Sequence, residues 1–180
     1  MRLFVAIDPP PTAVQHLRQS VDTSTPGLRW ANPDQWHFTL TFCGEVDERT
    51  RKQLAERLGR AAGRHAPMRL RLSGAGAFSR PRRAHAVWIG VAGDAEALGK
   101  LADSTNAAAR RSGIAIEERR FRAHLTVARA TPPTDVRELV AELAPYEGPE
   151  WTATQVHLVR SHLGPPTVHE RIDTWPLGRA

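Results

Sequence analysis

The chain contains a single cysteine, Cys43, which excludes an intramolecular disulfide and every multi-cysteine zinc or iron–sulfur site. Stability must come from packing. Long apolar runs are also missing, since the stretches at 3–7 and 86–89 fall far short of the ~18 to 20 residues that a bilayer crossing needs. The first of them is cut off by Asp8 and three prolines, too early for the core of a signal peptide. The expectation is therefore a cytoplasmic protein with no membrane partner. Lysine is nearly absent as well: Lys52 and Lys100 are the only two, so arginine supplies almost all of the 25 basic residues that stand against 19 acidic ones. Arginine presents a planar fork of donors that matches phosphate oxygens, which makes a phosphate-bearing partner the first candidate. A net charge of +6 spread over 180 residues is modest and does not by itself define a nucleic-acid binder.

What the chain does contain is an order of elements that repeats. A strand at 2–8 leads into a helix with Val14, Leu17 and Val21 on one face, then strands at 28–30 and 36–43 separated by Asn32-Pro33-Asp34. Asp47 suits the N-cap of a helix whose stripe is Leu54, Leu58 and Ala62, and a strand at 68–72 follows. The pattern then restarts. A strand at 85–91 precedes an Asp94-capped helix carrying Leu98, Leu101 and Ala109 and stopped by Gly113, and a strand at 121–129 comes next. Thr134 is placed to cap a helix with Val136, Leu139, Val140 and Leu143, and strands at 152–162 and 168–175 close the chain. Corresponding features lie about 87 residues apart, so the reading is a duplicated α+β unit. With no linker or low-complexity segment, 1–180 is expected to form one domain of two intimately packed lobes, joined near 81–84.

At matching positions of the two halves stand Trp36-His37-Phe38-Thr39-Leu40 and Ala123-His124-Leu125-Thr126-Val127. Strand side chains alternate between faces, so His37 and Thr39 share one face while Phe38 and Leu40 share the other, and the second copy divides likewise. Two halves related by an approximate two-fold axis would bring the polar faces together across a groove. Cleavage of a cyclic phosphodiester needs that arrangement: one group takes a proton from the attacking water while another, in line across phosphorus, protonates the leaving oxygen. Histidine, with an ordinary pKa of ~6.5, suits both roles. Thr39 and Thr126 are candidate donors to the nonbridging oxygens.

These residues resemble the two-histidine (2H) phosphoesterases, and within them the RNA 2′,3′-cyclic phosphodiesterases once called 2′-5′ RNA ligases. The likeness runs through the opening 2–8, Leu28-Arg29-Trp30, both His-x-Thr segments, Phe42-Cys43-Gly44-Glu45-Val46, Val87-Trp88-Ile89-Gly90, Arg120-Phe121-Arg122 and Arg160-Ser161-His162-Leu163. The resemblance implies a bilobal α+β fold with two antiparallel sheets lining a central groove and helices outside. It implies hydrolysis of RNA 2′,3′-cyclic phosphate ends to 2′-phosphates, with His37 as general acid and His124 as general base, and with no cofactor or metal. The partner implied is RNA with such a terminus, or a nucleoside 2′,3′-cyclic phosphate, met by a monomer. It also makes Arg129 a phosphate ligand, although strict alternation from His124 puts it on the wrong face unless the strand ends or bulges there. Phe42 has the equivalent offset from His37 and is read either as a base-stacking platform or as core. His16, His65, His85, His157, His162 and His169 show no ligand spacing and are assigned surface or structural places. The rival reading is a noncatalytic RNA-binding protein of the same fold.

Overall fold

The computed structural model describes residues 1–178. Its strands are β1 (Arg2–Ile7), β2 (Arg29–Trp30), β3 (Phe38–Glu45), β4 (Met68–Arg80), β5 (Arg83–Gly93), β6 (Leu125–Thr134), β7 (Trp151–Ala153), β8 (Gln155–His162) and β9 (Val168–Pro176). Four α-helices accompany them: α1 (Pro11–Ser20), α2 (Glu48–Gly63), α3 (Ala95–Arg111) and α4 (Arg137–Leu143). The strands form two antiparallel sheets, ordered β3-β1-β8-β9 and β2-β6-β5-β4-β7. The fold is α+β, and among the described residues no helix is long and apolar enough to cross a membrane.

Each sheet buries one face under two helices. Leu3, Val5 and Ile7 of β1 meet Leu54 and Leu58 of α2 and Leu98 and Leu101 of α3 in one core. The other joins Leu72, Val87, Ile89 and Val127 to Leu17 of α1 and Leu139 and Leu143 of α4. Each such leucine is almost completely buried, worth ~1.5 to 3 kcal/mol relative to exposure.

The lobes are not the two halves of the sequence. The first half places β1, β3 and α2 in one lobe but lends α1 and β4 to the other; the second places β5, β6 and α4 in its own lobe and lends α3 and β8 back. The triplets β3-β1-β8 and β6-β5-β4 are thus equivalent, each completed by a strand from the opposite half. Residues 81–84 lie at the hairpin between β4 and β5, inside one sheet, where Arg80 pairs with Arg83. The arginines at 80, 82 and 83 occupy that exposed tip.

Several local expectations shift for identifiable reasons. Asp47 caps α2 by accepting from Thr50 N at 2.7 Å, as its position suggests. Asp94 precedes α3 but makes no cap bond; its carboxylate accepts from Arg69 N at 2.8 Å and ties the helix start to β4. Thr134 is still in β6, donates to Pro132 O, and leaves Val136 at the start of α4. The strand expected at 121–129 begins only at Leu125, and the one expected at 152–162 is two strands in different sheets.

Candidate active site

β3 and β6 approach each other from the two sheets, and each follows a histidine held in the same way. His37 Nδ1 donates to Gln35 O at 2.7 Å, the carbonyl belonging to a short 3-10 turn, Pro33–Gln35, whose start is fixed by Asn32 Oδ1 accepting from Asp34 N. His124 Nδ1 donates to Arg122 O, also at 2.7 Å. A carbonyl can only accept, so each Nδ1 carries a proton and each Nε2 is left for chemistry. In neutral His37, Nε2 accepts the hydroxyl of Thr39 at 3.0 Å. Thr126 lies on the equivalent face, opposite Trp88, as Thr39 lies opposite Ala6.

Both strands are bulged immediately after the threonine. Ala6 pairs with Thr39 and Val5 with Thr41, so Leu40 is the extra residue; Trp88 pairs with Thr126 and Val87 with Ala128, so Val127 is. Each bulge gives two successive buried residues, Leu40-Thr41 and Val127-Ala128, and turns the next one outward. That residue is Phe42 in one half and Arg129 in the other. The alternation that counted against Arg129 is therefore reset, and both residues share the face of their histidines. Phe42 is 51% exposed, with the Arg2 guanidinium 4.8 Å from its ring centre, so the core reading does not hold. Thr41 spends its hydroxyl inside, on Thr105 and Asn106 of α3.

An aromatic ring backs each imidazole. Phe4 stacks on His37 at 4.8 Å between ring centres, and Phe78 meets His124 edge-on at 4.9 Å. Burial pushes the His37 pKa below the ordinary imidazole value, and proximity to His124 and Arg129 lowers it further, against the Gln35 carbonyl and Asp8, which raise it. Residues from both sheets thus act on one imidazole. Cys43 is buried, which pushes its thiol up to about 12 and leaves it inert.

His169 is the neighbour that sequence reasoning missed. Its ring stands edge-on to His37 at 5.2 Å and to Phe4 at 5.1 Å, with Nδ1 buried and without a partner. Nothing in the local sequence signals this, because the contact depends on β9 lying across β8 from β1. Beside these rings Asp8 forms an ion pair with Arg171 and faces His157, whose Nδ1 bonds Thr174 at 2.8 Å. The other histidines keep surface or structural places, His16 on Tyr146, His65 on Ser104 and His162 on Glu170. Among the described residues no group of three or more His, Cys, Asp or Glu side chains is arranged to hold a metal ion.

Known proteins share this fold. The sequence profile of the 2'-5' RNA ligase superfamily matches residues 5–165. An RNA 2',3'-cyclic phosphodiesterase of Aeropyrum pernix is 32% identical over 80% of this chain and 81% of its own length. One from Archaeoglobus fulgidus is 30% identical over 92% of this chain and 93% of its own. The crystal structure of Escherichia coli LigT complexed with 3'-AMP superposes with a TM-score of 0.81 at 28% identity, covering 98% of this chain and 97% of LigT.

Proposed function

The chain belongs to the 2'-5' RNA ligase superfamily, and on that premise we propose that it hydrolyses RNA 2′,3′-cyclic phosphate ends to 2′-phosphomonoesters by metal-independent acid–base catalysis with His37 and His124. The observation that carries the reading is the matched pair of histidines, each with Nδ1 committed to the carbonyl two residues before it, which leaves Nε2 as the proton-exchanging atom once Thr39 releases that of His37.

His124, neutral, takes a proton from water through Nε2 as the water oxygen bonds to phosphorus. The bond from phosphorus to O3′ breaks in line with the attack, and protonated His37 gives its Nε2 proton to O3′. A 2′-phosphate and a free 3′-hydroxyl result. Thr39 must first release Nε2 of His37, and its hydroxyl then turns to a nonbridging oxygen, as does that of Thr126. Arg129 balances the phosphate charge, and Phe42 offers its exposed ring to a base. The site is selective about when His37 is charged. In the free protein burial disfavours its imidazolium; a bound phosphate monoanion favours it, so the substrate itself helps to arm the acid.

The test is product identification from a short RNA ending in a 2′,3′-cyclic phosphate. The expected product is the 2′-phosphomonoester, with turnover unaffected by excess EDTA; a 3′-phosphate product, or loss of activity restored by one divalent ion, overturns the mechanism. His37→Ala and His124→Ala should each lower kcat by ~10²-fold or more while the circular dichroism of the fold is retained.

A further inference from the structure

The two ends of the groove are built differently. Ile7 pairs with Phe38 on one side and Ile89 with Leu125 on the other, so the residues that follow, Asp8 and Gly90, hold equivalent places. Beside His37 that place is filled by a carboxylate, paired with Arg171 and neighboured by His157. Beside His124 it carries no side chain, because a Cβ on Gly90 would stand 2.7 Å from Ser73 O. The cavity lined by His37 measures about 50 Å³, and two others at Asp8 and Arg171 about 230 and 250 Å³, whereas one of about 720 Å³ opens beside Gly90 and Ala123, next to His124. The last is within the range of roughly 300 to 1,000 Å³ usual for ligand sites.

The walls of the larger cavity suit a polyanion with flat bases. Trp88, Gly90 and Phe121 line it together with the exposed cations Lys100, Arg119, Arg120 and Arg122 and the acids Glu96 and Asp103. Arg119 is paired with Glu117 and Lys100 with Glu96, while Arg120 and Arg122 have no ion pair among the described residues. Trp88 also links the cavity to the histidine, since Phe78 touches both its ring, at 5.9 Å between centres, and that of His124.

We propose that this cavity is a subsite for the single-stranded RNA upstream of the terminal nucleotide, with bases against Trp88 and Phe121 and phosphates along Lys100, Arg119 and Arg120. A cyclic phosphate terminates the 3′ end, so the rest of the RNA leaves the reacting phosphate in the 5′ direction. At the His37 end it would meet Asp8 already paired with Arg171; past Gly90 it meets Arg120 and Arg122, which have no ion pair among the described residues. The inference rests on the proposed function for the place of the terminal phosphate, and it makes oligonucleotides better substrates than mononucleotides.

The test combines Lys100→Ala, Arg119→Ala and Arg120→Ala, three exposed positions outside the catalytic constellation. Binding is read by fluorescence anisotropy of a tetranucleotide ending in a 3′-phosphate, with the matching nucleoside phosphate as competitor, so turnover is not required. The wild type should bind the tetranucleotide at least tenfold more tightly than the nucleoside phosphate. The triple variant should lose about tenfold on the tetranucleotide and less than twofold on the nucleoside phosphate, with the salt slope falling by about 0.7 per lost contact. Equal losses on both ligands, no loss on either, or equal binding of an acidic peptide of the same charge overturns the subsite. Tight, variant-sensitive RNA binding without hydrolysis would instead overturn the catalytic reading and leave the subsite standing.

Discussion

His37 is where sequence and environment pull in different directions. The general acid proposed there must be protonated, yet burial above all, and then the nearby His124 and Arg129, depress its pKa. An imidazole NMR titration of the free protein should place His37 below ~6.5, and a bound nucleotide phosphate should raise it. Arg129→Ala removes a positive charge and should also raise it, whereas Asp8→Asn removes the favourable carboxylate and should lower it. An unchanged His37 titration in both variants would mean that neither charge reaches the imidazole. At this scale the two His-x-Thr pairs were legible because strand alternation is a local rule. Arg129 was legible only as a family trait, since a bulge is decided by how two strands meet. His169 was not legible at all, because β8 lies between its strand and that of Phe4, and β1 and β8 both lie between its strand and the one that follows His37.

The elements show a similar division between local and long-range causes. Asp47→Ala removes a cap that acts within one turn, and it should destabilise the fold by ~1 kcal/mol without affecting catalysis, as read by thermal melting and kcat together. Asp94→Ala tests a different bond despite the similar position. Its loss should unpin β4 at Arg69, so hydrogen exchange should quicken at the Arg69 amide rather than along the first turn of α3. Helix stripes such as Leu54 with Leu58 and Leu98 with Leu101 were readable from spacing. The division of 151–162 between two sheets was not, because Ala153 and Gln155 differ in their partners, Met68 and Pro176, rather than in any propensity.

For the whole molecule, the order of elements was legible from the repeat, but their exchange between lobes was not, since both arrangements present the same apolar periodicity. Because each sheet needs a strand and a helix from the opposite half, the chain is expected to unfold in one cooperative transition, and residues 1–82 or 83–178 made separately should not fold. Two calorimetric transitions would contradict this. Acid should weaken the fold. His37, His65, His157 and His169 all have pKa values lowered chiefly by burial, so below ~6.5 the unfolded chain binds more protons than the native one. Their contribution to stability is present above the unfolded value and lost as pH falls from it through the native ones, so Tm should drop as the pH is lowered below ~6.5. The exchange of strands also bears on ancestry. Two separate copies of one half, swapping the same strand and helix, would make a homodimer with its histidines related by a strict two-fold axis, where acid and base are indistinguishable. Covalent fusion removes that constraint: Asp8 can face one histidine and Gly90 the other, and a symmetric pair of proton carriers acquires a direction.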